Sequence, residues 1–92
     1  MNTFSMEVRQ EVCEIQQERC FLWGLPNCLS TGMSFHHIIS NSKVNRKKYG
    51  NVRIQSAENC RLLCQSCHTN NIHLLKESKN ELEKKWTKEL GF

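Results

Sequence analysis

The chain has 92 residues, with six cysteines, four histidines, nine glutamates, no aspartate and a formal net charge of +4. A chain this short is one domain that buries only about 60% of the surface its unfolded form exposes, so disulfides, a metal ion or a partner chain are expected to supplement its core. No apolar run approaches the roughly 20 residues that span a bilayer, and one proline and four glycines exclude a collagen-like or low-complexity composition.

The opening residues show no basic segment followed by an apolar run, so no secretory signal is expected. The cysteines therefore point to bound metal rather than to disulfides, in a soluble intracellular domain. Phe4, Val8, Val12 and Ile15 recur at helical spacing among glutamates, glutamines and Arg9, which predicts an amphipathic packing helix over residues 1–19, ending near Arg19. Cys20 to Cys28 encloses Trp23, Gly24, Leu25, Pro26 and Asn27, a loop with a thiol at each end. Met33 to Ser40 reads as a short strand, followed by a basic stretch with a Tyr49-Gly50-Asn51 turn. Cys60 to Leu63 is a second short apolar run, and a helix is expected to begin at Cys64-Gln-Ser-Cys67-His68 and continue toward Leu75. Ser78 with Glu81 forms a capping-box pattern for a last helix within 77–92, in which Leu82, Trp86 and Leu90 share a face before Gly91 stops it.

The modest net charge conceals a local concentration. Residues 21–76 carry seven lysines and arginines against Glu58 alone, a net +6, and five of them, Lys43, Arg46, Lys47, Lys48 and Arg53, fall within eleven residues. Such a segment suits a polyanion, because each phosphate it neutralises releases counterions; a solvated loop that keeps the protein soluble is the plainer reading.

Zinc takes four thiolates in a tetrahedron, most easily from two close pairs. Cys64 and Cys67 make the tight pair, and Cys20 with Cys28 makes a wider knuckle whose turning residues lie between them. Cys13, beside the apolar stripe, and Cys60, inside an apolar run, read as buried small hydrophobes. Four thiolates leave no open position, so such a zinc is structural.

Paired histidines His36-His37 before Ile38, then Asn59, then Leu62-Leu63-Cys64-x-x-Cys67-His68, occur in that order between Cys20 and His73. This combination resembles the HNH endonucleases, the zinc-knuckle branch of the ββα-metal nucleases, in a small phage or bacterial form. The resemblance implies an α+β fold, with a zinc-stapled ββα-metal core over 20–76 and flanking N- and C-terminal helices. It implies a metal-dependent DNA endonuclease or nickase that leaves 3′-hydroxyl and 5′-phosphate ends. His37 matches the general base, Asn59 the asparagine that holds that base in position, and His36 and His68 the ligands of one catalytic divalent ion. A further ligand is common four residues after His68, where this chain has Ile72; Asn71, about 60° around an ideal helix from His68, and His73, about 140° around, are the candidates. With His36 where many relatives use a carboxylate, Mn2+, Ni2+ or Zn2+ should serve besides Mg2+. The basic residues would grip DNA phosphates without reading bases. The implied setting is the cytoplasm of a bacterial or phage-infected host cell, with a homodimer or phage packaging or recombination proteins as partners. Two other readings stay open: a non-catalytic zinc-stabilised nucleic-acid-binding module, and an accessory nuclease subunit. On a regular strand, moreover, His36 and His37 point to opposite faces, so the strand must bend or end there if both are to reach one phosphate.

Overall fold

The computed structural model describes residues 3–26, 28, 29, 31 and 34–92. Helix α1 spans Met6–Gln16, strand β1 Ser34–His37, α2 Lys43–Tyr49, α3 Asn51–Ile54, β2 Cys60–Leu63, α4 Gln65–Asn70 and α5 Lys76–Leu90. Short 3₁₀ turns, Ala57–Asn59 and Ile72–Leu75, precede β2 and α5. Among the described residues the result is a small α+β architecture, a two-stranded antiparallel sheet between helices. Asn27 of the loop and Met33 of the expected first strand lie outside the described residues.

The sheet pairs Ser34 with Leu63, Phe35 with Leu62, His36 with Arg61 and His37 with Cys60. Alternation along the strands then divides the interior in two. Phe35, Cys60 and Leu62 pack with Phe4, Val8, Val12 and Cys13 of the N-terminal segment, while Ile38, Ile39 and Leu63 join Cys20, Tyr49, Ile54, Cys64, Cys67, Leu75, Leu82 and Trp86.

Helix α1 starts where Ser5 Oγ accepts from the Val8 N–H at 3.2 Å. It stops three residues before Arg19, because Gln17 and Glu18 turn into the left-handed region with φ of 55° and 59°. That conformation is costly for side-chain-bearing residues, and tertiary bonds hold it. Gln16 Oε1 accepts from the Leu62 N–H at 3.1 Å, and its Nε2 donates to the carbonyls of Leu62 at 3.0 Å and Arg19 at 2.9 Å. The carboxamide thus serves the outer edge of β2 as a strand residue would, and clamps α1 against the sheet. Ile15, expected to pack, is 70% exposed.

The basic stretch is helical rather than a loop. Ser42 Oγ caps α2 by accepting from the Asn45 N–H at 3.1 Å, and Gly50, at φ 92°, breaks α2 from α3. Tyr49 and Ile54 turn inward, leaving Val44 and Val52 exposed. The helix expected from Cys64 to Leu75 is also interrupted: α4 ends at Asn70 and the chain tightens into a 3₁₀ turn. That turn runs directly into α5, so the start is set by buried Leu75 and Ser78 lies inside the helix, without the capping role expected of it. The stop is as expected: Gly91 is left-handed, and the Phe92 N–H closes onto the Thr87 carbonyl at 3.0 Å. Leu82 and Trp86 are buried, Leu90 is partly exposed, and Trp86 Nε1 donates to Glu58 at 3.2 Å. Among the described residues no helix is long and apolar enough to cross a membrane.

Candidate metal and histidine site

The loop from Cys20 winds through successive tight turns, with Trp23 N–H on the Cys20 carbonyl at 2.9 Å, Leu25 N–H on Leu22 at 3.3 Å and Cys28 N–H on Leu25 at 3.1 Å. This winding brings Cys28 back toward the start of α4, where Cys64 is the N-cap and its sulfur accepts from the Cys67 N–H at 3.3 Å. The sulfurs of Cys20, Cys28, Cys64 and Cys67 consequently all lie within 4.8 Å of one another, with Cys28 and Cys64 at 3.9 Å. Four thiolates around one zinc, at about 2.3 Å each, stand about 3.8 Å apart, so the cluster has the dimensions and donors to hold such an ion. Cys20, Cys64 and Cys67 are buried and Cys28 is half-buried.

The four sulfurs do not hold their protons equally. Burial raises Cys20, and raises Cys67 to about 12. Burial acts the same way on Cys64, but the backbone N–H groups of Cys67 and Leu29, together with the side chains of Cys67 and Cys20, bring that thiol down to about 6. Negative charge therefore settles first on the sulfur that two backbone donors already face. Cys13 is half-buried and Cys60 1% exposed, both in the apolar cluster beneath α1 and outside the four-sulfur group.

The histidines separate by strand parity. His36 faces α4, with its ring 5.5 Å from that of His68 at an interplanar angle of 67°. Two imidazoles sharing one ion, with metal–nitrogen bonds of about 2.1 Å, place their ring centres roughly 5 Å apart, so this pair has suitable spacing for two ligands. Burial, reinforced by the neighbouring His68 and His37, pushes His36 below the ordinary imidazole value and favours the neutral form that metals bind. Asn71 turns its Nδ2 to the Cys67 sulfur at 3.5 Å, and His73 is exposed on the 3₁₀ turn. Their angles around a continuous helix do not apply, because α4 has ended at Asn70. Among the described residues, the four cysteines form the group of three or more potential ligands, and no such group contains a histidine.

His37 lies on the other face. Its ring stacks on Phe4 with centroids 3.9 Å apart and planes at 16°, and its Nε2 is 2.9 Å from Gln55 Oε1. Gln55 Nε2 continues to Asn41 Oδ1 at 2.9 Å, which also receives Arg46 Nη1 at 3.0 Å. Phe4, Asn41 and Gln55 were not foreseen: they stand 33, 4 and 18 residues from His37, and no local pattern links them to it.

Asn59 is fully buried and all its bonds are structural. Its Oδ1 accepts from the Ile39 N–H at 2.6 Å, and its Nδ2 donates to the carbonyls of Ile39 at 3.0 Å and Ile54 at 2.9 Å. The side chain thus locks the exit of β1 to the end of α3, while its carbonyl accepts from the Ile38 N–H at 2.9 Å. Asn59 touches neither imidazole in these bonds; it fixes the backbone leaving His37.

Of the basic residues, Lys43, Lys47 and Lys48 are exposed on α2, with Lys48 also above the rings of Tyr49 and Phe92. Arg53 pairs with Glu89 at 3.3 Å, and Arg46 is turned back onto Asn41. Comparison with family models, curated proteins and solved structures finds no match to the chain.

Proposed function

We propose that the protein is a metal-dependent DNA endonuclease or nickase of the HNH type, with the zinc-stapled ββα-metal arrangement built from β1, β2 and α4. The observation that carries this reading is the placement of His68, the residue after the last zinc-site cysteine, against His36 on the strand that also bears His37. A cluster of four cysteines at the root of α4 holds His68 relative to β1 without requiring a large core.

Among the described residues β1 pairs with β2. β1 ends at His37, and on this reading the scissile phosphate lies across that end, between the imidazoles of His36 and His37. His36 and His68 would hold the divalent ion, which would supply Lewis-acid neutralisation of charge on the scissile phosphate and the departing 3′ oxygen. His37 takes the proton of the attacking water as the new P–O bond forms and the bond to the 3′ oxygen breaks, leaving 3′-hydroxyl and 5′-phosphate ends. Asn59 acts through the backbone on the position of His37. Exposed Lys43, Lys47 and Lys48 hold flanking phosphates, a contact that gives affinity without base preference.

A second reading is favoured by one observation: His37 is packed on Phe4, away from the His36–His68 pair. On that reading the chain is a zinc-stabilised nucleic-acid-binding module and the histidines are structural. Supercoiled plasmid incubated with Mg2+, Mn2+, Ni2+ or Zn2+ separates the two. Nicking that is lost in His37→Ala while DNA binding remains supports the nuclease; binding without cleavage under every metal supports the module.

A further inference from the structure

A line of polar side chains runs from the basic helix to His37, and its first member sets the sense of every hydrogen bond in it. Arg46 Nη1 donates to the Asn41 carbonyl at 2.9 Å and to Asn41 Oδ1 at 3.0 Å. A guanidinium has donors only, so the Asn41 side-chain atom facing it is the amide oxygen. The same oxygen lies 2.9 Å from Gln55 Nε2, and an oxygen there requires the NH2 of Gln55 as donor. Asn51 Oδ1, at 3.4 Å from the same nitrogen, agrees. Gln55 therefore turns its oxygen to His37 Nε2 at 2.9 Å. An amide oxygen has no proton to give, so the proton in this bond belongs to His37 Nε2, and in a neutral imidazole Nδ1 is then the unprotonated nitrogen.

We propose that Gln55 is a positioning residue that holds His37 in the Nε2–H tautomer, so that Nδ1 is the atom that accepts the proton of the attacking water. The proton leaves water for the Nδ1 lone pair, and Gln55 keeps the Nε2 proton in place throughout. Stacking on Phe4 fixes the plane of the ring but is indifferent to a half-turn within that plane; the Gln55 bond selects one of the two orientations. Arg46 acquires a role distinct from phosphate binding: it polarises the line by presenting donors alone. The chemical half of the proposal rests on the nuclease reading, whereas the tautomer does not.

Long-range 1H–15N correlation spectra of the zinc-loaded full chain with 15N-labelled histidine read the tautomer directly. The wild type should give the Nε2–H pattern for His37, assigned by its absence in His37→Ala. Gln55→Glu keeps an acceptor and should retain the pattern, while Gln55→Met should lose it, with His36, His68 and His73 unmoved in both as the check on folding. An Nδ1–H pattern in the wild type, or a Gln55→Met spectrum identical to it, overturns the proposal. In plasmid nicking, Gln55→Met should lower kcat at least about tenfold with KM unchanged within about twofold, and Gln55→Glu should recover most of it. Wild-type kcat in Gln55→Met overturns the positioning role even where the spectrum is as expected. Absence of nicking by the wild type with every metal removes the chemical half and the nuclease reading together, and the tautomer then stands or falls by the spectrum alone.

Discussion

Replacing Asn59 by alanine should be among the most damaging single changes in the molecule. The side chain is 0% exposed and its carboxamide serves three backbone groups, the N–H and C=O of Ile39 and the C=O of Ile54, both residues being 1% exposed or less. Alanine removes all three bonds and leaves their partners where water does not easily replace them. Each buried group stranded in this way costs about 1–3 kcal/mol, with the orphaned N–H at the upper end because carbonyls are more often left underused. Some relaxation is inevitable, so a total loss of about 3–6 kcal/mol is expected. A chain of this size has about 5–14 kcal/mol of stability in all, so the loss takes between about a fifth and the whole of it. Urea unfolding of the zinc-loaded protein in a Trp23→Phe background, followed by fluorescence of the remaining Trp86, measures the difference, since Trp86 is 1% exposed in the folded state. Asn59→Asp should be no better, because it keeps an acceptor for Ile39 N–H while turning a second oxygen toward two carbonyls. A loss below about 1 kcal/mol at unchanged m-value would show that Asn59 does not lock β1 to α3.

Three further outcomes follow from other parts of the molecule. Purified protein should carry one zinc per chain, lost in Cys28→Ser but kept in Cys13→Ser, and chelation should abolish near-ultraviolet circular dichroism; two metals lost together, or metal retained by Cys28→Ser, contradicts the four-sulfur assignment. Gly50→Ala should cost about 1 kcal/mol or more in the same unfolding assay, because φ of 92° is disfavoured for any side chain even though the space around Gly50 is open. Burial holds the Cys60 thiol up at about 12 against 9.0 for an exposed thiol, so from pH 9 upward the unfolded chain releases this proton first and stability falls as pH rises toward 12. The fall should be shallower in Cys60→Val, and iodoacetamide should label Cys13 well before Cys60; equal labelling rates would contradict the burial.

How far the sequence disclosed this structure depended on how local each cause is. The strand segments were legible because short apolar runs with turn residues on both sides have few alternatives, and the stop of α5 because Gly91 is needed for a left-handed cap. Its start was not, since the Ser78 cap competes with a 3₁₀ turn anchored by Leu75, and packing prevails over a cap worth about 1 kcal/mol. The basic segment hid two helices because charge obscured the periodicity, although Ser42 before Lys43 is an N-cap signal that, weighed more heavily, would have revealed α2. The cysteine grouping could be read from spacing and turn residues alone. The surroundings of His37 could not: Gln55, Asn41 and Phe4 reach it through tertiary packing that leaves no trace in nearby sequence.

The central claim is hydrolysis of DNA by this histidine arrangement, and mapping both ends of the products from an end-labelled duplex tests it most directly. The expected products carry 3′-hydroxyl and 5′-phosphate ends, form only with a divalent ion, and are absent with His37→Ala and with His36→Ala. Intact duplex after incubation with Mg2+, Mn2+, Ni2+ and Zn2+, at salt low enough that the protein remains bound, would contradict it.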